Sequence, residues 1–387
     1  MIPQKNRPLK LAFICHEFPP IGGGAATALD QLTKNLASLG HEILVLTIGP
    51  NSTSSYPSLS NRKIVALANI RKNPSCPSLL EFIASYFFIR FKSSFYLNNF
   101  KPDVIISFLA FPAGHAILPY IKRKKVPFVV SIRGVDAPGF YENRLKGLVK
   151  FLIPYLIKPV LYASNLVYTN GQHLKDLVEQ SFKNLPLVNL PNGVHVPPSF
   201  DVSQRNFERL NLIFVGQLIP RKRVIETLKG VMLFAQHTTQ PITLTYVGTG
   251  ELEAELRKIA KHHPPNLQVI FKGYMPRSDL FSLYKQQHVM MHLSHDEGVS
   301  NTLLEAFAQG LALVVSQNVV YEMNISKNFP GKILSSFSAE EIAQNLQELF
   351  SDSKKLKSFF QISKKHAENF SWHTHTQIFL DHIQRIL

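Results

Sequence analysis

Short apolar runs alternate with stretches of helical periodicity along most of this chain, and that alternation limits its fold more than any other feature. In the N-terminal half, residues 9–15, 42–47, 104–108, 128–132 and 188–190 read as strands, and residues 26–39 as a helix. The runs are nearly continuous in Val, Ile, Leu and Phe, the pattern of strands covered on both faces. A second series at residues 210–215, 243–247, 269–272, 289–293 and 312–316 repeats the scheme. Between the two series lies Pro191-Asn-Gly-Val-His-Val-Pro-Pro198, a run of turn formers that reads as a linker. Strand–helix alternation implies α/β domains built on parallel sheets. A chain of 387 residues suffices for two such cores. Domains of this kind bind ligands at the carboxyl ends of their strands, so a cleft between the two is the expected site.

Charge narrows the partners. Lys and Arg number 42 against 26 Asp and Glu, a net charge of +16. Such an excess favours anionic surfaces. Residues 78–101 carry Leu80, Phe82, Ile83, Tyr86, Phe87, Phe88, Phe91, Phe95 and Phe100, with Arg90 and Lys92 among them, and residues 144–162 mix the same types. Neither stretch has eighteen uninterrupted apolar residues, so neither is expected to span a bilayer. Both suit helices lying in an anionic membrane surface, and equally core helices with solvated lysines. No nucleic-acid module is present, so nucleic acid is not an expected partner. The two cysteines, Cys15 and Cys76, have no metal or redox spacing and suit a reducing compartment. The apolar run near the N-terminus is too short for a signal peptide and reads as the first strand. The expectation is a cytoplasmic protein, peripheral to the inner face of the cell membrane.

The most chemical stretch is Ser294-His-Asp-Glu-Gly-Val-Ser-Asn-Thr-Leu-Leu-Glu-Ala-Phe-Ala-Gln-Gly310. It reads as a strand end, an acidic loop and a helix capped by Ser300 or Asn301. A helix N-terminus with free N–H groups suits phosphate, and Glu297 and Glu305 can accept hydrogen bonds from hydroxyls. Phosphate beside hydroxyls describes a nucleotide sugar. Either acid alone reads as a solvated carboxylate, but Glu305 lies among Leu303, Leu304, Ala306 and Phe307, where an unpaired charge is costly.

Other loops follow strands. Pro19-Pro-Ile-Gly-Gly-Gly-Ala-Ala-Thr27 lets backbone N–H groups approach an anion, or is simply a tight turn. A dinucleotide fingerprint is excluded because Thr27 stands at the third glycine position and the second strand ends in Thr47 rather than an acid. Phe214-Val-Gly-Gln-Leu-Ile-Pro-Arg-Lys-Arg-Val224 ends a strand in three cations, which taken alone read as a solvated face. Ser131-Ile-Arg-Gly-Val-Asp136 carries an Arg–Asp pair, and Tyr246-Val-Gly-Thr-Gly250 and Gly273-Tyr-Met-Pro276 are glycine turns.

Glu297 and Glu305, with seven residues between them in a Glu-Gly-Val-Ser-Asn-Thr-Leu-Leu-Glu-Ala setting, resemble the paired-glutamate motif of the retaining family-4 glycosyltransferases. The likeness runs from Ile14 to about Phe350. It implies the GT-B fold, an α/β arrangement of two Rossmann-like parallel-sheet domains facing across a cleft. Residues 1–192 would bind the acceptor, residues 193–209 would form the linker, and residues 210–371 would bind the nucleotide sugar. Helix 372–387 would return to the N-terminal domain.

The resemblance also implies an activity: metal-independent, cofactor-free, retaining hexosyl transfer from a nucleotide sugar to a glycan or lipid-linked acceptor in cell-surface glycoconjugate synthesis. Under it Lys222 neutralises the diphosphate, Glu297 contacts the sugar hydroxyls and Asp136 orients the donor sugar or acceptor. Glu305 holds the ribose hydroxyls, while Gly23, Gly24, Gly298, Val299, Ser300 and Asn301 lie along the donor. Gly248 and Met275 lie toward the nucleotide, and Arg133 faces an anionic acceptor group. Gln217 stands where the family has an arginine, leaving Arg221 and Arg223 to supply that cation. Asn318 and Val319 replace paired glycines before Glu322, so a stiff loop is expected there. Two other readings are a non-catalytic binder of nucleotide sugar or anionic lipid, and a sugar epimerase of the same fold.

Overall fold

Parallel pairing runs through both sheets of the computed structural model, which describes residues 7–49, 59–71, 78–134, 136–137, 149–197, 205–294, 299–323, 325 and 328–387. The chain divides into two units, one formed by Met1–Gly193 with Trp372–Leu387 and the other by Val194–Ser371. Val194 pairs with Ser371, so the second unit begins and ends at one bridge.

The first unit holds seven strands: β1 (Lys10–Ile14), β2 (Glu42–Thr47), β3 (Arg62–Ala66), β4 (Val104–Phe108), β5 (Phe128–Ile132), β6 (Leu166–Thr169) and β7 (Leu187–Asn189). Their order is β3-β2-β1-β4-β5-β6-β7. The chain therefore steps outward from β1 to β3, crosses back to β4 and continues to the other edge. Right-handed crossovers put the helices of the two arms on opposite faces. On one face α1 (Gly24–Ser38) packs against the closing helix α13 (Trp372–Ile386). Leu29, Leu32 and Leu36 share that core with Phe379 and Ile383. The Phe379 ring stacks on Phe13 at 6.2 Å between centroids. The other face is covered by α2 (Leu79–Phe100), α3 (His115–Lys124), α4 (Val149–Tyr162) and α5 (Gln172–Ser181). Ser78 starts α2 through a capping box, its Oγ accepting from the Glu81 N–H at 3.3 Å and its own N–H donating to Glu81 at 2.7 Å. Among the described residues no helix is long and apolar enough to cross a membrane.

The second unit has six strands in the order β10-β9-β8-β11-β12-β13: β8 (Leu210–Val215), β9 (Ile242–Val247), β10 (Leu267–Phe271), β11 (Val289–His292), β12 (Ala312–Ser316) and β13 (Gly331–Leu334). The helices are α6 (Val224–Gln236), α7 (Glu253–Ala260), α8 (Arg277–Tyr284), α9 (Asn301–Ala308), α10 (Gln317–Met323), α11 (Ala339–Ser351) and α12 (Ser353–Asn369). One core joins α6 and α11 to the sheet through Leu228, Val231, Ile342 and Leu346, and the opposite core holds Leu303, Leu304 and Phe307 of α9.

Residues 318–322 correct the sequence reading. They lie within helix α10 rather than in a stiff loop, because without glycine nothing interrupts helical hydrogen bonding directly after β12. Glu322 is buried on that helix.

Candidate functional site

In a doubly wound sheet, ligands sit where neighbouring strands send their chains in opposite directions, at the carboxyl edge. In the second unit that point lies between β8 and β11. The chain leaving β8 forms a short helical turn, Pro220–Lys222, and the chain leaving β11 leads into α9.

The three cations of the first turn have different fates. Lys222 is buried, and a Cβ placed on Gly216 would come within 3.9 Å of its Cε, so its stem folds back over the end of β8. Arg223 adopts a left-handed conformation, φ 52°, as the residue before α6. Its Nη1 donates to Glu226 at 3.0 Å and its guanidinium lies 4.7 Å from the Phe337 ring centroid. Arg223 is thus turned toward α6 and its surroundings. Arg221 is half-buried and Gln217 exposed.

The glycines beside this turn are demanded by backbone contact. Gly248 has φ 126°, and a Cβ there would stand 2.0 Å from the Gly216 carbonyl oxygen. Its N–H donates to Gly273 at 2.7 Å, joining the ends of β9 and β10. Met275 is half-buried and packs on the core beneath α8 and α9.

Across the switch point, Ser300 is the N-cap of α9, but its hydroxyl pairs with Thr302 Oγ1 at 2.9 Å rather than with a backbone N–H. Val299 is buried and Asn301 half-buried. Glu305 sits one turn into the helix, its side chain only 6% exposed. Burial pushes its carboxyl above the usual range, against the opposing pull of Arg277 and Tyr284. Arg277 Nη2 lies 2.8 Å from Glu305 Oε1, while the Tyr284 hydroxyl donates to the Thr302 carbonyl at 3.5 Å. Sequence reading missed Arg277, since it lies 28 residues upstream on another helix. Glu297 and Gly298 lie outside the described residues.

In the first unit the corresponding switch point lies between β1 and β4. The glycine loop follows β1. Gly22, at φ 99°, closes the turn, and a Cβ there would strike Glu17 Cδ at 2.7 Å. Gly23 precedes α1, and a Cβ on it meets no described atom within 4 Å. Gly24 is the first residue of α1, whose first turn carries no acid and whose N-cap makes no side-chain bond. These N–H groups are an anion-favouring terminus.

Beyond β5, Asp136 is buried, accepting the N–H of Ala110 at 2.6 Å and of Arg133 at 3.0 Å. Burial pushes its carboxyl up to about 6. Arg133 donates through Nη1 to Asn192 Oδ1 and lies 4.5 Å from the Phe108 ring centroid. Burial lowers its guanidinium to about 10. The Arg133–Asp136 pair therefore fixes its own loop, and Asn192 and Ala110 are its partners. Among the described residues no group of three His, Cys, Asp or Glu side chains is placed to hold a metal ion.

Two family models match adjoining stretches of the chain. Residues 22–196 match Glycosyltransferase Family 4, and residues 197–366 match Glycosyl transferases group 1. An uncharacterized glycosyltransferase of Methanocaldococcus jannaschii is 22% identical over 387 residues, covering 95% of this chain and 96% of the relative. Among solved structures, a sucrose-phosphate synthase from Thermosynechococcus elongatus superposes with a TM-score of 0.76 at 15% identity, covering 97% of this chain and 98% of that one. The Anabaena protein HepE, solved with UDP-glucose, gives a TM-score of 0.72 at 16% identity over 97% of this chain and all of that one.

Proposed function

This chain belongs to the family-4 glycosyltransferases, and we propose that it transfers a sugar from a nucleotide-sugar donor to a glycan or lipid-linked acceptor with retention at the anomeric carbon. The observation that carries this reading is the burial of one cation and one acid on the two elements that leave the switch point of the second unit. Lys222 is a buried cation after β8, and Glu305 is a buried acid one turn into the helix after β11.

Departure of a nucleoside diphosphate leaves negative charge on the leaving oxygens and positive charge on the anomeric carbon. Lys222 and the N–H groups that open α9 meet the first requirement without a metal ion, and being fixed in advance they need no reorganisation. Glu305 accepts the ribose hydroxyls. Glu297 takes the sugar hydroxyls and helps align the anomeric carbon, with the acceptor entering on the face that the diphosphate leaves.

The lipid-linked version of the acceptor rests on the outer face of α2. Leu80, Ile83, Phe87, Phe91 and Phe95 are between 45% and 79% exposed and form one stripe. A helix that is apolar on both its buried and its open side needs a covering partner.

The experiment is thermal unfolding of the purified chain with UDP, GDP, ADP and their sugars. A ligand at a hundred times its Kd adds about 2.7 kcal/mol of stability. A rise confined to one nucleotide and abolished by Lys222→Ala fixes the donor class. Glu297→Ala should then remove transfer while keeping nucleotide binding, and Glu305→Ala should weaken the binding itself. No rise with any nucleotide would overturn the proposal.

A further inference from the structure

Glu305 is held from a neighbouring helix. Arg277, the first residue of α8, reaches its Oε1 at 2.8 Å, while Tyr284, the last residue of α8, donates its hydroxyl to the Thr302 carbonyl at 3.5 Å. Arg277 is itself fixed from below, its guanidinium lying 5.4 Å from the centroid of Phe281, one turn along the same helix. The Glu305 side chain is 6% exposed and that of Arg277 is 35% exposed, so the pair sits at the mouth of a buried position.

A carboxylate offers about four acceptor positions. Arg277 occupies one, which leaves room for two incoming hydroxyls. A vicinal diol needs two acceptors at one fixed spacing, and a carboxylate free to rotate would lose that geometry. The ion pair with Arg277 restrains that rotation. The cation also opposes the upward push that burial exerts on the Glu305 carboxyl.

We propose that Arg277 is a positioning residue for ribose recognition, holding the Glu305 carboxylate so that it accepts the 2′- and 3′-hydroxyls of the donor nucleotide. Arg277 touches no reacting atom and acts through Glu305. The inference rests on the assignment of Glu305 to the ribose, and the test separates the two.

Calorimetric titration of the full chain would use UDP, GDP and ADP, each beside its 2′-deoxy form. The unaltered protein should prefer the ribonucleotide by on the order of 10-fold, the worth of one hydrogen bond to a charged acceptor. Arg277→Met should bring that preference close to 1 while leaving deoxynucleotide affinity within about 3-fold, since only the hydroxyl contact is lost. Arg277→Lys should restore part of the preference, because it keeps the charge but not the planar fork. Arg277→Met weakening both forms alike, or keeping the preference, would make the ion pair a structural contact and overturn the inference. Glu305→Gln serves as the control for the underlying assignment. If Glu305→Gln keeps the preference, the ribose role of Glu305 falls and the inference with it. If Glu305→Gln loses it and Arg277→Met does not, the inference alone falls. Binding of none of the three nucleotides would remove both.

Discussion

The Asp136 carboxylate accepts the backbone N–H of Ala110 at 2.6 Å, tying the turn after β5 to the turn after β4. Its second oxygen accepts the N–H of Arg133 at 3.0 Å. Burial nevertheless dominates and raises the group from 3.8 to about 6. The folded state then binds more protons than the unfolded chain between those two values. Stability from this group is full at low pH and declines as pH rises from about 4 to about 6, by on the order of 3 kcal/mol. The single tryptophan, Trp372, lies in the first unit and reports its unfolding in urea. Asp136→Asn should remove this decline. It should also lower stability by about 1–3 kcal/mol, because the new amide nitrogen faces an N–H donor.

His375 works in the opposite direction. Its Nδ1 lies 2.7 Å from the Pro191 carbonyl, so the neutral ring donates there. Burial, with Arg133 nearby, lowers its pKa from 6.5 to about 3. The unfolded chain binds the extra proton between these values, so stability is full above 6.5 and falls as pH drops toward 3. His16, lowered to about 3 by burial, behaves alike in the same unit. Each group adds a slope of up to about 1.4 kcal/mol per pH unit. His375→Gln should therefore remove up to about 1.4 kcal/mol per pH unit from the slope of the Trp372 transition between pH 6 and 4, nearly flattening it, because the His16 part that remains is opposed by Asp136 over the same range. An unchanged slope would show that His375 does not contribute to it.

Gly248 is fixed by its neighbours. An alanine there would place its methyl 2.0 Å from the Gly216 carbonyl at a φ of 126°. Strain and overpacking each cost about 1–3 kcal/mol, so Gly248→Ala should destabilise the second unit by on the order of 3 kcal/mol or more. Gly23→Ala should cost far less, since its Cβ direction is open among the described residues. Nucleotide affinity at a temperature where both variants are folded then separates a packing glycine from one that a ligand approaches.

The elements that sequence alone exposed are those whose runs are almost wholly apolar. Buried parallel strands such as Val104–Phe108 and Phe128–Ile132 have no solvent face, and a single serine is the one polar residue in each. The strands that escaped notice are β3, β6 and β13. β3 and β13 are edge strands, carrying Arg62, Lys63 and Lys332. At the site, Lys222 and Glu305 were legible because each stands in a local pattern of strand, turn and helix. Arg277, Asn192 and Ala110 were not. Their contacts with Glu305, Arg133 and Asp136 span 28, 59 and 26 residues of chain and leave no periodic mark. The contacts of Arg223 with Glu226 and Phe337 were not legible in the basic triplet either, which taken alone reads as a solvated face.

The open stripe on α2 makes the remaining prediction. Leu80, Ile83, Phe87, Phe91 and Phe95 follow one another at intervals of three or four residues and so share one side of the helix. Glu81 is the single acid in α2, and it is spent in the capping box. The adjoining helices on the same face of the sheet continue the pattern. Lys122, Arg123 and Lys124 are exposed at the end of α3, and Leu152, Tyr155 and Tyr162 are exposed on α4 with Lys158 among them. Aromatic side chains flanked by cations fit the interface of an anionic bilayer, which takes the rings between headgroups and the cations among phosphates. The full chain should therefore sediment with phosphatidylserine-containing vesicles and far less with pure phosphatidylcholine, and binding should fall with salt. Each juxtamembrane cation contributes about 1 kcal/mol, so changing Lys122, Arg123 and Lys124 to Gln should weaken vesicle binding by roughly 100-fold. Changing Phe87, Phe91 and Phe95 to Ser should abolish it while leaving the melting temperature near its starting value, because these rings are exposed in the fold. If that triple variant instead binds vesicles normally and changes only the sedimentation coefficient in free solution, the stripe faces a second copy of the chain and the bilayer assignment is wrong.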